Sequence, residues 1–383
     1  MQDANLNFLV DQYRQTGALP INHNYLRQQF ADADPIFARL RQLLLDGDFT
    51  LGQAVDDFEH RFAALVGAEY AIGVGSGTDA LFLSLKALGV GPGDEVITTP
   101  YTFFATIGAI VTAGAKPVFV DIGADYNIDA SNIEAAITPR TKAILPVHWS
   151  GLPCDMDALA EIASRRNLRI VEDACHGIQA TYKGKGAGTF GDTGCFSMHP
   201  LKNLNVWGDG GVIVTSNRDL ARHLRLLRNH GLMNRDECEV FAYNSRLDTL
   251  QAIVASHMLD RIDRITHARI KHAAYFDEAL SQIPEITVPR RDPEKRQVFH
   301  IYVIRAERRN ELQRHLISKG IDAKVHYPIP MHLQPAARDF GYQKGDFPVC
   351  EATCASVLSL PVHEFITEEQ QAYVVDAIRG FYA

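Results

Sequence analysis

The chain has no long hydrophobic run, no basic excess and no paired-cysteine pattern, and each absence removes a class of function. Its most apolar stretch, residues 103–115, is interrupted by Thr and Gly and falls short of the roughly 20 residues a membrane-spanning helix needs, so a buried helix is expected there. Lys plus Arg number 38 against 46 Asp plus Glu, a formal charge of −8, which gives a phosphate polymer no electrostatic footing and argues against a nucleic-acid partner. The six cysteines form no CxxC and no disulfide framework, which fits reduced thiols in the cytoplasm. The opening Met1 Gln2 Asp3 Ala4 Asn5 lacks the basic, then apolar, then small-residue order of a secretory signal. Fifteen histidines invite a metal, but HExxH is absent and His326 with His332 lacks ligand spacing, so no metal site is expected. Internal repeats and low-complexity tracts are also missing.

What is present is an alternation of short apolar strands with amphipathic helices from about Glu69 onward, the pattern of an α/β fold with a mostly parallel sheet and helices on both faces. Strands are expected at residues 70–74, 95–99, 117–121, 143–147, 169–173, 193–197 and 212–215. Thr78 and Asp79 open a helix whose Leu81, Leu85 and Leu88 share a face, and Gly89 followed by Gly91 Pro92 Gly93 closes it. Beyond Ser216 the pattern changes. Residues 247–282 read as one long or broken helix, residues 285–288 and 298–305 as strands, residues 307–319 as a helix stopped by Gly320, and Thr367 Glu368 Glu369 Gln370 as a capping box opening a final helix. The expected division is a large α/β domain over residues 1–255 and a smaller α+β domain over 256–383.

The chemistry concentrates around Lys202, in Cys195 Phe196 Ser197 Met198 His199 Pro200 Leu201 Lys202, placed 29 residues after Asp173. Asp173 ends an expected strand; Gly75 Ser76 Gly77 Thr78 Asp79 lies between a strand and a helix, where free amides and the helix dipole favour an anion. Each feature alone has an ordinary structural explanation: a solvated lysine, a capping carboxylate, a tight turn. Jointly, with Ser197 ahead of the lysine and Gly208 Asp209 Gly210 Gly211 after it, they supply an amine, a carboxylate for a protonated ring nitrogen and donors for a phosphate, the parts of a pyridoxal phosphate site.

These residues lie within a set of motifs: SGTDAL (76–81), PYTFFAT (100–106), EDA (172–174), GDTGCFSMHPLKNL (191–204), GDGG (208–211), YNSRLDTLQA (243–252) and HYPIPMHLQ (326–334). In this order, over nearly the whole length, the chain resembles the DegT/DnrJ/EryC1/StrS sugar aminotransferases of fold type I. The resemblance implies that Lys202 forms the internal aldimine and then moves the proton, that Asp173 pairs with the pyridinium nitrogen, and that Phe103 stacks on the ring. It also implies that Gly77, Thr78 and Ser197 hold the phosphate, that His176 hydrogen-bonds the phenolic oxygen in place of the glutamine of many members, and that Asn244 reaches the neighbouring subunit's cofactor in a homodimer. His326 and Tyr327 border the substrate sugar in the family, although Tyr327 Pro328 Ile329 Pro330 reads equally as a rigid connector, and His199 reads as a packed or capping loop histidine as readily as a catalytic one.

The implied reaction is a ping-pong transfer, through aldimine and ketimine stages, of an amino group from L-glutamate to a keto sugar, most simply a keto-deoxysugar on a dTDP-type carrier. Amination of a cyclitol or a sugar without a nucleotide is an alternative. Sugar dehydration is disfavoured, because relatives that dehydrate carry histidine at the position of Lys202. A catalytically silent, regulatory cofactor-binding protein stays open.

Overall fold

Seven strands form one sheet: β1 (Tyr70–Val74), β2 (Glu95–Thr98), β3 (Lys116–Phe119), β4 (Thr141–Ile144), β5 (Arg169–Asp173), β6 (Thr193–Ser197) and β7 (Gly211–Thr215), in the spatial order β1-β7-β6-β5-β4-β2-β3. The structure is a computed structural model and describes residues 19–383; residues 1–18, which carry the reading of the chain's opening, lie outside them. Only β7 runs against its neighbours, β1 and β6; all other pairs are parallel. Strand β1 therefore points the same way as β5 and β6, and their carboxyl ends share one edge of the sheet.

Successive residues of each strand face opposite sides, and both sides are covered. Ile72, Val74, Val96, Val171 and Ile213 pack beneath helices α3 (Gly77–Ala87), α4 (Phe104–Thr112) and α6 (Arg218–Leu227). Ala71, Phe196, Val212 and Val214 face α1 (Asp34–Asp46), α2 (Gln53–Val66) and α7 (Thr249–Leu259), while Ile97, Ile144 and Ile170 face α5 (Met156–Arg166). Phe58 and Phe62 of α2 are fully buried there, each contributing about 1.5–3 kcal/mol through burial. Burial on both faces explains why these strands read as continuous apolar runs.

Helix α2 is also tied down by charge. The buried Glu59 carboxylate accepts the Gly73 N–H at 2.7 Å and pairs with the equally buried Arg228, which itself donates to the Gly73 carbonyl at 2.8 Å. This ion pair fixes the helix to β1 one residue before the strand reaches the site edge.

A second sheet follows later in the chain. Strands β8 (Ile286–Thr287), β9 (Tyr302–Ala306) and β10 (Val357–Leu360) are antiparallel in that order and share a core with α8 (Ile262–Leu280), α9 (Arg309–Ser318) and α11 (Glu368–Tyr382); α10 (Pro348–Ser356) leads into β10. The expected capping box at Thr367 is formed with Gln370, and Gly320 follows α9 at φ 80°.

The helical stretch 247–282, expected as one long or broken helix, is broken at Asp260–Arg261. Two expectations change. The strand expected from residue 298 begins only at Tyr302, because Val298 and His300 instead donate their N–H groups to Gly151 and Ser150 at 3.1 Å each. The apolar stretch 103–115 is not wholly buried: α4 sinks Ile107, Ala109 and Ile110, whereas Phe103 and Phe104 are 45% and 55% exposed.

Candidate active site

At the shared edge, the chain leaving β1 turns at Gly75 and enters α3. Ser76 caps that helix, its Oγ accepting the Asp79 N–H at 3.1 Å. Gly77 is required by contact rather than by φ: a Cβ there would lie 2.6 Å from Ser197 Cβ and 3.1 Å from Cys175 Sγ. The amides opening α3 therefore sit against the last residue of β6, with Thr78 exposed beside them. The structure thus brings Gly77, Thr78 and Ser197 together at a helix N-terminus, a geometry that favours an anion.

Strand β5 delivers the acidic pair to opposite faces. Glu172 turns inward, accepting from Gly188 N–H at 2.7 Å, Phe190 N–H at 2.6 Å and Gly191 N–H at 2.7 Å and contacting His148 Nε2 at 2.8 Å, so it organises the loop before β6. Asp173 turns to the site. Its Oδ2 accepts from Thr106 Oγ1 at 2.8 Å, and its Oδ1 accepts from the Cys175 N–H at 3.2 Å. Thr102 Oγ1 lies 2.6 Å from Thr106 Oγ1 and extends the chain of hydroxyls. The carboxylate is oriented at both oxygens and retains lone pairs for a cation.

Lys202 sits in a pinned turn after β6. Its N–H donates to the His199 carbonyl at 2.8 Å, Asn205 Nδ2 donates to the carbonyls of Pro200 and Lys202, and Asn203 Nδ2 donates to Val298 O at 3.0 Å. His199 belongs to this scaffold: its Nδ1 accepts the Leu201 N–H at 3.4 Å. The Lys202 ammonium is held below the usual lysine range by burial, against which Cys175 and Asp173 pull upward. Burial likewise pushes the Cys175 thiol up.

Aromatic and imidazole groups wall the space around the lysine. Phe103 lies 6.0 Å from Tyr327 between ring centres, and Tyr101 donates its hydroxyl to the His326 carbonyl at 2.6 Å. Burial and then the Asp173 charge raise Tyr327, which puts its hydroxyl in the same field as Lys202. His326, its Nδ1 2.9 Å from Ser359 Oγ, is lowered to about 4 by burial, Lys324 and Lys202. His176 is buried and is lowered by burial, Lys202 and His326. Asn244 is apart from this group: it is exposed, pairs with Asn229 through the backbone, and adjoins Ser245, whose Oγ accepts the Gly75 N–H at 3.3 Å.

These residues fit pyridoxal phosphate. A half-buried amine with weakened hold on its proton, an oriented carboxylate near it and a cradle that a methyl group would fill are the features the cofactor's aldehyde, ring nitrogen and phosphate need. Sequence reasoning did not single out Thr102, Thr106, Asn203 or Asn205. The threonines carry a signal, an i,i+4 pair at the start of a helix; the asparagines act through backbone carbonyls that sequence spacing does not encode.

Residues 31–379 match the model of the DegT/DnrJ/EryC1/StrS aminotransferase family. A Geobacillus stearothermophilus protein named pleiotropic regulatory protein is 45% identical over 361 residues, spanning 93% of this chain and 97% of its own length. The dTDP-3-amino-3,4,6-trideoxy-alpha-D-glucose transaminase of Streptomyces venezuelae is 42% identical over 350 residues, 91% of this chain and 92% of that one. Among solved structures, S. venezuelae DesV in complex with a ketimine intermediate superposes with a TM-score of 0.92 at 40% identity, covering 96% of this chain and 99% of that one. Structures of relatives in the PLP form or with bound PMP match as well.

Proposed function

We propose, from the premise that this chain belongs to the DegT/DnrJ/EryC1/StrS aminotransferase family and is a pyridoxal phosphate-dependent aminotransferase, that it transfers an amino group from L-glutamate to a nucleotide-linked keto sugar. The observation that carries this reading is the meeting of Lys202 with the doubly oriented Asp173 at the sheet edge where Gly77 abuts Ser197. The sugar acceptor is supported by the activities named for the S. venezuelae relative and for other relatives at 36–42% identity.

Each residue has a task derived from its setting. Burial leaves a larger fraction of Lys202 uncharged than an exposed lysine would have, so its Nζ serves as the nucleophile that anchors the cofactor and as the base that takes a proton from the donor carbon and returns it to the neighbouring one. Bound pyridoxal phosphate supplies the electron sink that stabilises the charge left when that proton departs. Asp173 keeps the ring nitrogen protonated, with Thr106 and the Cys175 N–H preventing rotation of the carboxylate. The amides of Gly77 and Thr78 and the Ser197 hydroxyl hold the phosphate, Phe103 offers a flat face to the ring, and His176 donates to the phenolic oxygen. His326 and Tyr327 border the acceptor sugar, and Tyr101 sets their position through the His326 carbonyl.

The dimer belongs to the same proposal. Exposed Phe103, Phe104, Met233 and Phe241, the last 98% exposed, are costly to leave in water, and Asn244 lies outside its own cluster, as a residue lent to a partner's site would. Among the described residues no helix is long and apolar enough to cross a membrane; the cytoplasm is the proposed location. The regulatory relative favours a second reading, a cofactor-binding regulator without turnover. One experiment separates them. The purified protein should be yellow, glutamate should bleach the band, borohydride should fix the cofactor on Lys202, and a panel of keto sugars should restore the colour with amination of one member. A protein that binds the cofactor through Lys202 but is not bleached by any amino donor would support the regulator instead.

A further inference from the structure

The segment that breaks the expected strand at residues 298–301 is held more firmly than a connector requires. Val298 and His300 donate to Gly151 and Ser150 at 3.1 Å, Asn203 Nδ2 donates to Val298 O at 3.0 Å, and the buried Arg269 donates from Nη1 to the carbonyls of Phe299 at 3.1 Å and His300 at 3.2 Å. Gln297 Nε2 donates to Ser150 Oγ at 2.8 Å. Two non-glycine residues, Ser150 at φ 54° and Phe299 at φ 49°, take up left-handed backbone within this network. Strain of that kind persists only where its surroundings impose it, and it concentrates at sites of function.

What the network delivers is the His300 ring. It lies against His176 at 4.3 Å between ring centres, inclined at 37°, and its buried Nδ1 has no hydrogen-bond partner among the described residues. Ser150 joins the pair: its carbonyl accepts from His300, and its own N–H donates to His176 Nδ1 at 3.3 Å. An N–H can only donate, so His176 Nδ1 is the acceptor and a neutral His176 ring carries its proton on Nε2.

We propose that His300 is a positioning residue for the aminotransfer reaction, stacking on His176 so that, with Ser150, it holds that ring neutral, protonated on Nε2, as a fixed donor to the cofactor's phenolic oxygen. The proposal rests on the cofactor reading above and explains how histidine serves where many relatives use glutamine: both present a neutral N–H. Burial and the Lys202 ammonium hold both imidazoles below the usual histidine range, and Arg269 adds to the effect on His300. The charged and titratable groups acting on Lys202 are Cys175, after β5, and Asp173, the last residue of β5; those acting on His176 are Lys202 and His326, while Lys202 itself acts on His199 from its own turn and on His300.

The test has two readouts. In cofactor-free protein labelled with 15N-histidine, the His176 resonances, identified by their loss in His176→Gln, should show Nε2–H and bare Nδ1 across neutral and mildly acidic pH. In the holoenzyme, the visible band of the Lys202-bound cofactor should titrate with a higher midpoint in His300→Ala, by about one pH unit, because losing a fixed donor leaves more charge on the phenolic oxygen to retain the neighbouring imine proton. His300→Phe, which keeps the flat face against His176, should bring the midpoint back to the wild-type value, and the tautomer, set by the Ser150 N–H, should stay on Nε2 in that variant. Wild-type His176 found protonated or carrying its proton on Nδ1, or a midpoint unmoved in His300→Ala, overturns the proposal. If His300→Ala does not fold, the wild-type tautomer and His300→Phe still decide. Failure of the cofactor to attach at Lys202 refutes the broader reading instead and leaves the resonance experiment standing.

Discussion

Gly77→Ala is the most direct probe of the phosphate cradle, because the structure states what the added atom would meet. Its Cβ would sit 2.6 Å from Ser197 Cβ and 3.1 Å from Cys175 Sγ, where carbon atoms in contact settle at roughly 3.5–4.0 Å. Ser197 cannot yield cheaply, since it ends β6 and is paired with Gly211 of β7, whose own Cβ position is closed by Ser76 O at 2.2 Å. The N-terminus of α3 must therefore move away from β6. Overpacking of this kind costs about 1–3 kcal/mol, and the displaced amides are the ones assigned to the phosphate. The expected result is a lower urea midpoint for the cofactor-free protein and at least a tenfold loss of affinity for pyridoxal phosphate, about 1.4 kcal/mol. Affinity for pyridoxal, which lacks the phosphate, should change far less. Gly380→Ala in α11, with nothing within 4 Å of the added carbon, is the control and should leave both affinities unchanged. Equal binding of pyridoxal phosphate by Gly77→Ala and wild type, or an equal loss for both ligands, would refute the argument that this close approach exists to hold the phosphate.

Thr106→Val keeps the side-chain shape but deletes the hydroxyl donating to Asp173 Oδ2; a hydrogen bond to a charged group is worth about 1.5–3 kcal/mol, so turnover should fall roughly tenfold or more while the urea midpoint moves little. Unchanged kinetics would remove Thr106 from the site. Glu59→Gln leaves the Arg228 charge buried without its partner and should cost about 3–5 kcal/mol in denaturant unfolding, with cofactor affinity affected only through stability. His363 is stacked on Tyr25, accepts the Phe365 N–H at Nδ1, donates from Nε2 to Asn22 O and is lowered by burial and Arg269 to about 4. Between its unfolded value near 6.5 and its folded value the unfolded chain binds more protons, so stability is present above about pH 6.5 and is lost as pH falls toward 4, on the order of 3 kcal/mol. Urea midpoints across that window should fall steadily, and His363→Gln should flatten the slope.

What the sequence made legible, and what it did not, follows from how far each feature depends on distant partners. The strand starts at Tyr70, Arg169 and Thr193 and the Thr367 cap are local matters of periodicity and hydrogen bonding within a few residues, and they appear where the pattern put them. Asp173, Ser197 and the Gly77 turn were readable as site candidates because ligand chemistry in α/β folds gathers at strand ends. The division of labour within Glu172 Asp173 was open to the same logic, since adjacent strand residues face opposite ways. Residues 298–301 show where such reasoning stops. Their composition suits a strand, yet Ser150, Gly151, Asn203 and Arg269, brought in from three other parts of the chain, take the backbone groups that strand pairing would have used. A tertiary network overrode a local preference, and the residue it placed, His300, stands against His176 beside Lys202. Departures of this type are informative because a fold that only needed a strand there had the residues to make one; the competing hydrogen bonds mark a requirement beyond folding, which the tautomer of His176 makes measurable.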